Sequence, residues 1–306
     1  TLLLWAAIIK ATRDWGGETT QGRAFGFMDG GRGFMAAFFG SIGTFILAFY
    51  LPSEMKIIDP EQRTNGMVAI IYLYTALTFT GGILVWFIIP HSIQQTPRES
   101  KRISLLGIID VIKDPKVWGK GMVVVTAYVA YKNLDNYSLY FVDIMGMTEV
   151  QAAWFTSNAS YLRLVGAITA GILADKFKPS LVLKCMFLCL FICFFILSSL
   201  EFKTSTVLII YGNIIVTYFG VFALRGIYFA LLEESKVEPH KTGTSVGLIS
   251  VIGYTPDIFF YPISARIISR SPGIEGYHNY FTFVAISVLA GMLVTWFLTR
   301  KISNSS

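Results

Sequence analysis

Charge is what this 306-residue chain has least of. Asp, Glu, Lys and Arg supply 14% of its residues, where an ordinary soluble domain carries about 25%. Histidine and cysteine number three each. His91, His240 and His278 fall in loops or at the ends of apolar runs and read as solvated. Cys185, Cys189 and Cys193 recur every fourth residue within one apolar run, so they share a helix face. No His or Asp accompanies them, so they read as small apolar filler rather than metal ligands or a disulfide framework. The sequence has no nucleotide-binding loop, zinc motif or Ser/His/Asp signature. An enzyme is therefore not expected, nor a cofactor, nor a metal. The basic n-region and cleavage site of a signal peptide are also missing.

Apolar residues fill the rest, at 54% of the chain. They gather into runs near the 20 residues that span a hydrocarbon core of about 30 Å. The fold class expected is an all-α polytopic membrane protein. Its spans fall near 22–51, 67–90, 119–142, 150–174, 182–201, 206–232, 243–266 and 279–299, eight in all, with a partial helix before them. The opening TLLLWAAIIK resembles the end of a helix, and the chain reads as truncated at its N-terminus. The net charge of +6 does not point to nucleic acid, because the basic residues sit in short segments between spans. The longest polar interval, His91–Lys120, carries Arg98, Lys101, Arg102, Lys113, Lys116 and Lys120. It divides the chain into residues 1–90, a linker at 91–118, and a six-helix unit at 119–306. Ser104–Lys116 has helical periodicity and is expected to lie along the membrane surface.

Lys and Arg fix the expected orientation. With residues 11–21 on the cytoplasmic side, the interior segments hold sixteen of them and the exterior segments five. Linker and C-terminus are then cytoplasmic. An internal repeat supports two halves. Gly22–Gly26 (GRAFG) echoes Gly243–Gly247 (GTSVG), and GGILVWFII from Gly81 echoes GMLVTWFLT from Gly291. Parallel repeats of this kind occur among transporters.

The run Gly171-Ile-Leu-Ala-Asp175-Lys176-Phe177-Lys178 resembles the G-x-L-A-D-[RK]-x-x signature of the major facilitator superfamily. The segments GRAFGFMDGGRG from Gly22 and TGTSVGLISVIGYTPD from Thr242 are similar to its helices 5 and 11. They are nearest a poorly characterised bacterial branch close to organic-anion and sugar-acid carriers. The resemblance covers the chain from the end of helix 4 to helix 12. It implies a bacterial inner-membrane location and alternating access between two bundles. It also implies a cytoplasmic gate in which Gly171, Asp175 and Lys176 take part, Asp175 capping a helix and pairing with basic residues.

Charges inside spans carry the site. Each costs about 2.5–3.5 kcal/mol at a helix centre, so function is the default reading. Arg32 lies near mid-membrane with Asp29 one turn before it, either as a self-neutralising couple or as an anion-binding arginine with its counter-ion. Tyr128, Lys132, Asp135, Asn136 and Leu139 share one face of the third span, which reads as cavity lining or as an internal Lys132–Asp135 pair. Arg163 stands among the small residues Thr156, Ala159, Ser160 and Ala167, which suggest a helix interface or a cavity wall, and its fork suits a carboxylate or phosphate. Arg225, near Glu233 and Glu234, reads as a snorkelling or gating residue. Asp257 follows Pro256, with Pro262 beyond as a second hinge candidate. Asp135 and Asp257 are the candidates for proton coupling. The expected substrate is a small polar anion, bound by Arg32, Tyr128, Lys132, Asn136 and Arg163, in a monomer whose other partner is the lipid bilayer. A transporter-like ligand sensor is the alternative.

Overall fold

Backbone groups in a lipid phase must be satisfied within their own segment, which favours helices. Helices are what this chain forms. The computed structural model describes residues 8–9, 11–13, 15–17, 19–51, 60–88, 111–231 and 242–303. Among them there is no strand. The main helices are α1 (Gln21–Tyr50), α2 (Pro60–Ile88), α3 (Pro115–Asp143), α4 (Glu149–Ser160), α5 (Leu162–Phe177), α6 (Pro179–Leu197), α7 (Val207–Ile227), α8 (Thr242–Gly253), α9 (Pro256–Arg270) and α10 (Ile274–Ser303). Residues 1–7, most of the linker including His91, and Glu233, Glu234 and His240 lie outside the described residues.

The eight expected spans are all present, two of them broken. The fourth is α4 followed by α5, parted at Tyr161. Its start is fixed by a capping box, in which Thr148 Oγ1 accepts from Gln151 N and Gln151 Oε1 accepts from Thr148 N. The seventh is α8 followed by α9, parted at Tyr254 and Thr255. Pro256 opens α9, where its missing N–H costs nothing. Pro262 sits inside α9. Six stretches are long and apolar enough to cross a membrane by length and composition. The third and fourth spans fall short of that criterion, and both carry charged residues of the candidate site.

Small residues set the crossings. The backbones of Gly22 in α1 and Gly171 in α5 touch, so that a Cβ at either position would strike the other's carbonyl. Below that contact Gly26 lies on the Ala167 carbonyl, and Gly226 of α7 meets Ala167 from the other side. Such close approach gives helix association in lipid its dispersion energy. The echoed glycines differ in surroundings. Gly81 and Gly247 face open space, whereas Gly291 packs against Thr126 and Phe187. In the second half, Tyr137, Phe141, Tyr218, Tyr280 and Phe281 interlock as a buried aromatic core. The helix α2 packs on α1 and leaves Tyr72, Phe79, Trp86 and Phe87 exposed.

Candidate functional site

Two charged clusters and one cavity lie between the helices. The first cluster is built on Asp29, which is only 3% exposed. Arg163 grips it with a two-point fork, Nη2 to Oδ1 at 2.7 Å and Nε to Oδ2 at 3.1 Å. Arg32 Nη1 stands 3.5 Å from Oδ1, and Arg225 Nε 3.6 Å from the same oxygen. Gly33 makes the grip possible, because a Cβ there would overlap the Arg163 Cγ and Cδ. Phe222 lies beside the Arg163 guanidinium and Tyr131 beside that of Arg225, with the ring centre 3.9 Å from Cζ. Three guanidiniums thus share one carboxylate. A buried pair of this kind needs good geometry to offset its desolvation, and the Asp29–Arg163 fork supplies it.

The second cluster joins α3 to α9. Lys132 Nζ pairs with Asp257 Oδ1 at 2.8 Å. The Tyr128 hydroxyl donates to Asp257 at 3.1 Å. Lys132 also donates to the Tyr261 hydroxyl at 3.4 Å, and Tyr261 donates to Asp135 at 2.5 Å. An acid, a phenol, an amine and a second acid therefore form one hydrogen-bonded chain.

Between the clusters is a cavity of about 330 Å³. Gly33, Ala37 and Gly40 of α1 form one wall. Arg163, Asp135 and Tyr131 bring charge and polarity to it, and Ser138, Thr156, Ser157 and Ser160 line it with hydroxyls. A larger groove of about 830 Å³ runs along the outer face of α2 between Ile71 and Phe87, with no charged residue in its lining. Convergent polar groups mark a binding site better than size does.

At one end of the bundle Asp175 accepts from Gly22 N at 2.7 Å, Arg23 N at 3.1 Å and Arg23 Nε at 2.9 Å. The last turn of α5 thereby caps the first turn of α1, where free N–H groups favour an anion. Gly171 sets the approach, while the Lys176 ammonium rests near the Phe177 ring. At the other end Arg63 meets Glu149 at 2.8 Å.

The structure brings Asp29, Arg32 and Arg163 together, and separately Tyr128, Lys132, Asp135 and Asp257. The partners differ from the local ones. Asp29 is held chiefly by Arg163 rather than Arg32, and Lys132 pairs with Asp257 rather than Asp135. Asn136 turns away to the Tyr280 hydroxyl at 2.8 Å and lies outside the cavity wall, and Leu139 is exposed. Arg225 does not snorkel, since its side chain is buried against Asp29 and Tyr131. Tyr131 and Tyr261 were not singled out by the sequence. The i, i+4 spacing of Asp257 and Tyr261 was the available signal.

A family model described as Major Facilitator Superfamily matches residues 2–261. The chain belongs to the Major Facilitator Superfamily. It is similar to the inner membrane protein YqcE of Escherichia coli K12, at 26% identity over 312 residues, 99% of this chain and 71% of that protein. The inner membrane protein YihN of the same organism matches over the same shares at 24% identity. A probable nitrate/nitrite antiporter, NarK1 of Thermus thermophilus, is 27% identical over 152 residues, 45% of this chain and 32% of that one. Among solved structures, a bacterial homologue of the iron transporter ferroportin in an outward-facing state matches with a TM-score of 0.58 at 12% identity. That match covers 98% of this chain and 87% of the other, and it establishes a shared fold. As a facilitator-superfamily member the chain is a multi-pass membrane protein of a transporter fold. A small-molecule substrate and a lipid bilayer follow from that membership.

Proposed function

We propose that this facilitator-superfamily chain serves a secondary transporter for a small hydroxylated monocarboxylic acid, such as a sugar acid, moved by alternating access. The observation that carries the reading is the composition of the cavity. Arg163 offers a guanidinium at one side, and four hydroxyl side chains with Asp135 offer donors and acceptors elsewhere. Nε and Nη2 of Arg163 hold Asp29, so a ligand carboxylate would take the remaining edge of the guanidinium or exchange with Asp29 at the fork, which suits two oxygens at once. Hydroxyls and an acidic acceptor match a polyol, and Asp135 disfavours a second carboxylate on the ligand. The volume sits at the lower end of the range of about 300–1,000 Å³ for ligand pockets, which favours a compact acid.

Arg32, outside the cavity lining, adds positive charge beside Asp29. The pair Lys132–Asp257 and the pair Tyr261–Asp135 are the groups through which a proton would be coupled, with Tyr128 as a hydrogen-bond donor between them and the arginines. The break before Pro256 supports a hinge next to Asp257. The excess of Lys and Arg in the linker and around Asp175 supports an orientation with those segments cytoplasmic, and the Asp175 cap is then the cytoplasmic latch.

The test is uptake of gluconate into proteoliposomes holding the full-length protein. Gluconate accumulation that Arg163→Gln abolishes is expected. Uptake that survives Arg163→Gln undiminished would refute the assignment.

A further inference from the structure

Arg225 is buried more completely than its partners account for. Its side chain is 9% exposed, and Nε and Nη1 are buried with no hydrogen-bond acceptor among the described residues. Its carboxylate neighbour, Asp29 Oδ1 at 3.6 Å, is already engaged by Arg163 at 2.7 Å. A buried donor left unmade costs free energy, and a guanidinium with two unmade nitrogens is a site waiting for oxygens. What separates it from the cavity is Tyr131. The Arg225 Cζ lies 3.9 Å from the centre of that ring, and Tyr131 forms part of the cavity wall. The arginine also rises from a lower level than Arg163. Its neighbour Gly226 packs on Ala167, about one helical turn beyond Arg163 toward the Asp175 end.

We propose that Arg225 is a second anion station, screened by the Tyr131 ring, which receives the substrate's carboxylate from Arg163 as the pathway opens toward the Asp175 end. The proposal rests on the anion reading above. Two guanidiniums one turn apart, bridged in this state by Asp29, let a carboxylate pass between them without ever being left unpaired in the bundle. Movement of the Tyr131 ring is the step that joins the stations.

Binding and uptake of gluconate by the full-length protein test this. Arg225→Gln should leave the gluconate Kd within about threefold of wild type while uptake falls about tenfold or more, because Arg163 still meets the ligand first. Arg163→Gln should lose both. An Arg225→Gln protein with wild-type uptake, or with a loss of affinity equal to that of Arg163→Gln, overturns the proposal. Tyr131→Ala removes the screen without touching a charge, so it reads the same question if Arg225→Gln fails to fold. It should tighten gluconate binding severalfold, and the gain should vanish in Tyr131→Ala/Arg225→Gln. Unchanged or weaker binding by Tyr131→Ala overturns the station. Acetate, a bare carboxylate, separates the two readings. If wild type neither binds nor carries gluconate, the sugar-acid reading falls. The station then stands if acetate binds Tyr131→Ala more tightly than wild type, and falls if it does not.

Discussion

Replacing Asp29 should damage this protein more than replacing any one of the arginines around it. Asp29 lies within 4.0 Å of Arg32, Arg163 and Arg225 at once. In Asp29→Asn the side chain keeps one acceptor oxygen but loses its charge, and the guanidiniums of Arg163 and Arg225 lose the carboxylate they share. Breaking a buried pair by removing one partner costs about 3–5 kcal/mol, and this site lies at the upper end because repulsion among the arginines is released with it. Arg163→Met removes the two-point fork, yet Asp29 keeps Arg32 at 3.5 Å and Arg225 at 3.6 Å. Its cost should be smaller, because Asp29 still has cationic neighbours when Arg163 is gone, whereas Asp29→Asn leaves buried positive charges facing one another. Thermal melting in detergent with a thiol-reactive fluorophore measures both. Cys193 is buried and becomes reactive only on unfolding, while exposed Cys185 is replaced by serine to lower the background. The expected order of melting temperature is wild type, then Arg163→Met, then Asp29→Asn. If Arg163→Met melts as low as Asp29→Asn or lower, the three-to-one accounting of charge at this site is wrong.

Two further outcomes follow from the crossing of α1 and α5. Gly26→Ala places a Cβ 2.6 Å from the Ala167 carbonyl oxygen, whereas Gly31→Ala points into open space; the first should lower the melting temperature sharply and the second should leave it near wild type or slightly raised, since alanine favours helix by about 1 kcal/mol over glycine. Asp175→Asn weakens three hydrogen bonds at the start of α1 and should cost about 1–2 kcal/mol, as loss of a helix cap does; a cysteine introduced at Ala174 should then react faster with a membrane-impermeant thiol reagent, and an unchanged rate would show that the cap does not hold this end closed.

The eight spans were legible because apolar length is a one-dimensional signal. The breaks at Tyr161 and at Tyr254–Thr255 were not, because a helix that restarts in nearly the same direction leaves the apolar run intact. Pro256 marked the second break, and nothing of that strength marks the first. Asp29, Lys132, Asp135, Arg163 and Asp257 could be picked out because charge within an apolar run is conspicuous. Their pairing could not be read. Sequence neighbours at i+3 offer Asp29–Arg32 and Lys132–Asp135, while the contacts formed join residues on different helices, Asp29 with Arg163 and Lys132 with Asp257. Arg225 was read as a snorkelling or gating residue from its place near the end of its span. Its side chain instead runs inward, against the Tyr131 ring and Asp29.

The two clusters are not independent, and Tyr128 is where they meet. Its hydroxyl donates to Asp257, and its ring lies 5.5 Å from Lys132 Nζ and 5.6 Å from Arg225 Cζ. The same ring packs edge-on against Tyr254 at 4.9 Å, and Tyr254 stands in the gap between α8 and α9. Tyr254 in turn shares a hydrogen bond of 3.4 Å with Tyr228, just past the end of α7 that carries Arg225. A change in the position of Arg225 is therefore felt by the aromatic pair that closes the gap, and through Tyr128 by the Lys132–Asp257 bond. Coupling between sites requires an element with two arrangements that both sites bias. The break before Pro256 is linked to both clusters through Tyr254, Tyr128 and Tyr228, so under the proposed function it is where occupancy of the anion site and protonation of the α3–α9 chain would act on the same motion.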